Sequence, residues 1–323
     1  MLLRHCIFTV TLLCGGFFVT LAQAESFAAW KARTAQEAIA EGIPEAVVKE
    51  VFATLYQDQK VVRLDRKQPE DKITFATYLR NTVTAGRIQQ GRALYAKHKS
   101  LLDAISRHYG VPPQIILALW GIETSYGGYK GGFHIVNSLA TLAYEGRRAE
   151  FFRNELMVAL RMIANGEASE AEMLGSWAGA MGHCQFMPTS FQKYAVDWNK
   201  DGRKDIWNSL PDVFASIANY LKTEGWNSEQ TWGRQVRLPQ GMQLTREDLY
   251  TKRSLADIAA LGVTRVDGSA LPSREMDAYL MVPDETHTSA YVVYQNYHVL
   301  LHWNKSRFFA TSVGTLADAI AGR

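Results

Sequence analysis

Cysteine is almost absent from the 323-residue chain, and two of its three copies, Cys6 and Cys14, fall in a leader marked for removal. Only Cys184 would remain, so no intramolecular disulfide is expected, and a mature chain of about 299 residues has core enough not to need one. Charge of one sign is lacking as well. Lys and Arg total 35 and Asp and Glu total 32, a net +3, with none of the basic striping of a nucleic-acid binder. There is no Gly-rich phosphate loop, no G-x-S-x-G elbow and no zinc-protease motif, which leaves nucleotide, serine-hydrolase and metalloprotease chemistry without support. No internal repeat or low-complexity segment is present. The apolar run from Cys6 to Leu21 is short of the ~20 residues that a spanning helix needs.

That run belongs to a secretory signal: Arg4 precedes it, and Ala22-Gln23-Ala24 forms a cleavage site before Glu25. The bulky Leu13 disfavours lipid attachment at Cys14. Export without disulfides points to a bacterial periplasm.

Hydrophobic residues make up 47% of the chain, which excludes disorder over most of its length. The 8 Trp and 14 Tyr serve equally as core or as sugar-stacking platforms. Apolar spacing at i, i+3 and i+4 predicts helices across 27–110, closed by Gly110. A buried helix starting at Pro112-Pro113 follows, then helices over 149–165, 170–175 and 211–223. Around Asn227 the pattern changes. Short alternating pieces, DAYLMVP and SAYVVYQNY among them, predict strands. Helix returns from Phe308 to Ala321. The expected fold is mainly α (α+β), divided into a signal peptide (1–24), an N-terminal helical domain (25–110), a helical core (111–227), a small α+β insert (228–298) and a C-terminal segment (299–323).

Three segments carry candidate chemistry. Glu123 lies near the end of the helix that begins at the prolines. Trp120, Leu119 and Ile116 share its face, and the negative end of the helix dipole is close. Both raise a carboxyl pKa, as a general acid requires. Spacing alone does not separate this from a terminal Glu turned to solvent. Residues 176–191 (SWAGAMGHCQFMPTSF) place Ser176 and Gln185 among glycines and apolar residues. Spacing alone favours the plainer reading of a tight turn between helices, with glycine supplying positive φ. Residues 197–208 (DWNKDGRKDIWN) set Asp197, Asn199 and Asp201 at positions 1, 3 and 5 and Gly202 at position 6, as an EF-hand loop does, but end on Asn208 where that loop has Glu. A solvated turn is the alternative. Arg147, Arg148 and Glu150 read as a salt-bridged helix face, and His134 and His183 as isolated histidines.

Together and in this order, IILALWGIETSYG (115–127), AGAMGHCQFMP (178–188) and the 197–207 loop resemble the lytic murein transglycosylase B family, and the likeness runs over about 27–323. The resemblance implies a lysozyme-like helical core with an EF-hand-type loop. It implies cleavage of the peptidoglycan bond between N-acetylmuramic acid (MurNAc) and N-acetylglucosamine (GlcNAc) without added water, leaving a 1,6-anhydroMurNAc end. Glu123 would be the single acid, then base. Ser176, Gln185, Tyr78, Tyr220 and Asn304 would contact sugars. Trp303 stands where the family often has Tyr, and His183-Cys184 where it commonly has Tyr-Gly. A structural Ca2+ would sit among Asp197, Asn199, Asp201, Arg203 and Asp212, with no cofactor for catalysis. The implied partners are peptidoglycan glycan strands, without nucleic acid and without a spanning segment in a monomeric mature chain. A hydrolysing muramidase and a catalytically silent peptidoglycan-binding protein are the rival readings.

Overall fold

The long helical stretch breaks where polar side chains cap new starts. In a computed structural model that describes residues 25–67 and 73–323, it becomes α1 (Phe27–Ala40), α2 (Glu45–Thr54), α3 (Gln59–Arg66), α4 (Phe75–Thr82), α5 (Ala85–Lys97) and α6 (Lys99–Tyr109). The side chains of Ser26, Asp58, Thr74 and Thr84 each accept from backbone N–H groups of the first turn, which the helix leaves unpaired. Gly110, left-handed at φ +73°, closes α6, and Pro113 opens α7 (Pro113–Thr124). The expected leader, residues 1–24, lies outside the described residues.

Residues 115–121 of α7 are all buried, so this helix has no solvent face there and forms the axis of the core. Helices α5 and α6 pack on it, as do α11 (Leu210–Thr223) and α14 (Arg307–Ala321) from later in the chain. Between them run β1 (Phe133–His134), α8 (Ile135–Glu145), α9 (Ala149–Ala164), β2 (Leu174–Gly175) and α10 (Pro188–Tyr194). Arg153 bonds Glu37 at 2.9 Å and Glu41 at 2.8 Å, clamping α1 to α9. Arg147 pairs with Asp65 at 2.6 Å, whereas Arg148 lies over the Phe152 ring at 4.6 Å rather than in a salt-bridged face.

The β module holds β3 (Gly233–Arg237), β4 (Arg253–Ser254), α12 (Leu255–Ala260), β5 (Thr264–Arg265), β6 (Asp277–Met281) and β7 (Ala290–Val293). Its five strands are antiparallel in the order β4-β6-β7-β3-β5, with Leu280 opposite Val292 and Val236 opposite Ala290. The module has its own apolar cluster, including Val236, Leu255, Ile258, Leu280 and Val292, while one larger cluster runs through the helices from Trp30 to Ile320.

Two expectations are corrected. Residues 170–175 are not helical. Ser169 and Glu172 do form the reciprocal cap of a helix start, at 2.9 and 3.3 Å, but Leu174 and Gly175 instead pair with His134 and Phe133. An added Cβ on Gly175 would lie 2.0 Å from the Ala180 carbonyl oxygen, so the strand is held by a backbone approach that only glycine allows. The strand read through SAYVVYQNY ends at Val293, and Gln295 begins α13 (Gln295–Trp303). There the buried Asn296 accepts from the Asn227 N–H at 2.7 Å and donates to the carbonyls of Asn227 and Gln230 at 2.8 Å each. These bonds tie the helix start to the beginning of the β module.

Candidate active site

Glu123 sits in the last turn of α7, half-buried. Burial pushes its carboxyl up to about 7, and one hydrogen bond opposes the shift: the Trp303 indole Nε1–H donates to Oε1 at 2.7 Å. Among the described residues no neighbouring charge contributes to that shift. Trp303, at the end of α13, is itself held by aromatic rings, 4.6 Å from Tyr220 and 5.3 Å from Phe186 between centroids. Tyr220 in turn lies 4.3 Å from Tyr194.

The chain leaves α7 through a left-handed turn: Ser125, Tyr126 and Gly127 have φ of +51°, +58° and +83°. This turn folds the Tyr126 ring back over Gly121, where an added Cβ would lie 2.6 Å from it, and the Tyr126 hydroxyl donates to the Arg87 carbonyl at 2.9 Å. At Gly127 an added Cβ would lie 2.3 Å from His183 Cε1. His183 is therefore not free-standing. Its Nδ1 accepts from Trp120 Nε1 at 2.9 Å, and burial, helped by the Lys130 charge, lowers it to about 4, leaving the ring neutral at pH 7. Cys184 beside it is fully buried, and burial raises its thiol well above the ordinary range.

The other sequence candidates divide. Tyr220 reaches Glu123 through Trp303, and both Tyr220 and Tyr78 have hydroxyls pushed up by burial. The Glu123 charge further opposes ionisation of Tyr78, whose ring lies 5.6 Å from Phe308. Ser176 and Gln185 shape the loop between β2 and α10. The Ser176 hydroxyl accepts from the Ala180 N–H at 3.0 Å, and the Gln185 amide donates to the carbonyls of Lys130 at 3.2 Å and Gly182 at 2.9 Å. Asn304 is exposed at the α13–α14 turn, where its Oδ1 accepts from the Ser306 N–H at 3.0 Å. The sequence marks Trp303 only as standing where the resembled family often has Tyr and hides its bond to Glu123, which joins residues 180 positions apart.

The acidic loop closes on its own backbone. Asp197 accepts from the N–H groups of Asp201 at 3.1 Å and Gly202 at 2.9 Å, and Asn199 and Asp201 accept from those of Asp201 and Arg203. Asp212 is buried and accepts from the N–H groups of Trp198 at 2.8 Å and Asp205 at 3.0 Å, drawing the two ends of the loop together. The Arg203 guanidinium pairs outward with Glu172 at 3.2 Å. The all-oxygen donor set suits a hard cation. Yet among the described residues no three acidic, His or Cys groups converge as metal ligands. His298 and His302, four apart on α13, make no such site either. His298 packs on Tyr279 at 4.5 Å, and His302 pairs with Glu224 at 3.1 Å.

A half-buried carboxyl that stays protonated close to neutral pH, in a patch of aromatic rings, is equipped to donate a proton to a leaving oxygen and recover one afterwards. The chain matches the family described as Transglycosylase SLT domain over residues 26–318. This chain belongs to that family. It is 30% identical over 295 residues to the membrane-bound lytic murein transglycosylase B of Escherichia coli K12, covering 87% of this chain and 79% of the relative. Among solved structures it is similar to SltB3 from Pseudomonas aeruginosa in complex with NAG-anhNAM-pentapeptide. That likeness has a TM-score of 0.88 and 40% identity, over 92% of this chain and 80% of that one. The E. coli lytic transglycosylase Slt35 in complex with calcium gives 0.77 and 29%, over 90% and 92%. The transglycosylase fold expected from the motifs, mainly α with a lysozyme-like core and a small β part, is the one observed.

Proposed function

We propose that this transglycosylase cleaves the MurNAc-β-1,4-GlcNAc bond of peptidoglycan glycan strands and leaves a 1,6-anhydroMurNAc end. Glu123 gives its proton to the glycosidic oxygen as the C1–O bond breaks. The C6 hydroxyl of the same MurNAc then attacks C1, and its proton passes to the Glu123 carboxylate, which restores the acid. No water is consumed. The observation that carries this reading is the Glu123 carboxyl, raised to about 7 by burial with no charge among the described residues contributing to the shift. Glycosidases that consume water set two carboxylates across the bond, and a second carboxylate nearby would repel the first. Tyr78, Tyr220, Ser176, Gln185 and Asn304 are the residues proposed to contact the sugars. Purified murein treated with the enzyme should release soluble fragments without a matching rise in reducing ends. A one-to-one rise would make the protein a hydrolysing muramidase, and no solubilisation would make it a binding protein.

The proposed location is the periplasm, where the substrate is, and the proposed mature state is a monomer. Among the described residues no helix is long and apolar enough to cross a membrane. The relative solved with calcium supports a structural ion in the loop, held by Asp197, Asn199, Asp201, the Arg203 backbone carbonyl and Asp212 after the backbone N–H groups yield the carboxylate and amide oxygens. An ion present at ~100 times its Kd and bound only by the folded state adds ~2.7 kcal/mol. Thermal melting in millimolar calcium should therefore exceed melting in chelator by several degrees, and Asp197→Ala should erase the difference. Equal midpoints with and without calcium would remove the ion from the account.

A further inference from the structure

The Glu123 carboxyl has two oxygens, and among the described residues one alone is hydrogen-bonded. The bond comes from an indole N–H, which can donate but cannot accept. An oxygen that accepts from such a donor at 2.7 Å cannot also carry the acid proton toward it. We propose that Trp303 is a positioning residue that assigns the acid proton to Oε2 of Glu123, so that one fixed oxygen both gives and recovers the proton. This inference rests on Glu123 being the acid.

The surroundings leave that role to Trp303. From α4, Tyr78 faces the carboxyl with a neutral hydroxyl that burial keeps protonated. From α5, Arg87 turns to the Thr82 carbonyl and to Ser125 Oγ at 3.4 Å. From the turn after α7, the hydroxyl of Tyr126 is committed to the Arg87 carbonyl. From the loop before α10, His183 is neutral and bonded to Trp120, and the buried Cys184 thiol stays protonated. From α11, Tyr220 offers its ring to Trp303 rather than a charge. Tyr220 and Phe186 pack against the indole and support it beside the carboxyl. A hydroxyl at this position could both donate and accept and would leave the proton free to sit on either oxygen.

The same bond favours the carboxylate, so losing it moves the acid's titration upward. In Trp303→Phe the ring still stacks, but the donor is gone. The alkaline limb of kcat/KM should rise by about one pH unit, and kcat should fall several-fold with KM little changed, because a proton shared between two oxygens is on the productive one about half the time and the acid is weaker. Trp303→Tyr, whose hydroxyl can donate to the carboxylate but also accept from the acid, should bring the limb back toward its wild-type position while leaving kcat low. A Trp303→Phe enzyme with wild-type kcat and an unmoved limb would overturn the proposal.

A second measurement reads the bond directly rather than through activity. In the 15N–1H spectrum of the whole protein, one indole resonance should titrate with a midpoint near 7, follow the Glu123 charge, and be the peak missing from Trp303→Phe. In Glu123→Gln that resonance should not titrate. If no indole titrates while Glu123→Gln is inactive, Trp303 does not report on the acid and the proposal fails alone. If Glu123→Gln is active, the proposed function fails with it.

Discussion

Glu123→Gln should abolish murein cleavage, at or beyond the upper end of the ~10²–10⁴-fold that general acid–base catalysis contributes. One residue serves both proton transfers, so both are lost together. The amide keeps the shape, and its carbonyl oxygen can still accept from the Trp303 indole, so the fold and sugar binding should survive. Turnover by purified enzyme on murein, with binding followed separately by sedimentation with the same sacculi, checks this. A Gln variant with a tenth of wild-type turnover would show that the proton comes from elsewhere.

The same substitution should make the protein more stable at pH 7.5. The Glu123 carboxyl has a folded-state pKa of about 7, raised from 4.5 by burial. Between those two values the folded protein holds a proton that the unfolded chain has released. Stability from this group is therefore fully present below pH 4.5, falls as pH rises, and is lost once pH passes about 7. The loss across that window is roughly 3 kcal/mol at ~1.4 kcal/mol per pH unit. Gln escapes it. Denaturant midpoints should favour Glu123→Gln at pH 7.5 and converge with wild type at pH 4.5. A Gln variant less stable than wild type at pH 7.5 would mean that the carboxylate is stabilised where it sits.

Much of this was legible in the chain. The burial of α7 follows from an apolar run with no polar stripe, and its start and end from prolines and a left-handed turn. The apolar neighbours of Glu123 at i−3 and i−4 pointed to a raised pKa without separating it from a Glu turned to solvent, and burial in the folded protein decides for the raised value. What the chain could not yield was a partner brought in by tertiary packing. Trp303 reaches Glu123 because α13 folds back beside α11, and local spacing carries no trace of that. Residues 169–175 mislead for a related reason. Ser169 and Glu172 form a true helix-start cap, but pairing with residues 133–134, forty positions upstream, overrides local propensity. The positive φ of Gln185, +49°, and the bonds of its amide to two carbonyls, which fix where the side chain sits in the loop, were likewise not legible in its sequence neighbours.

The central claim is that the sugar's own C6 hydroxyl takes the place of water. The most direct measurement is the mass of fragments released from purified murein in water enriched in heavy oxygen. The account predicts muropeptides lighter by one water than hydrolysis products and free of the heavy isotope. Fragments of full hydrolytic mass that carry heavy oxygen at the new MurNAc end would contradict it.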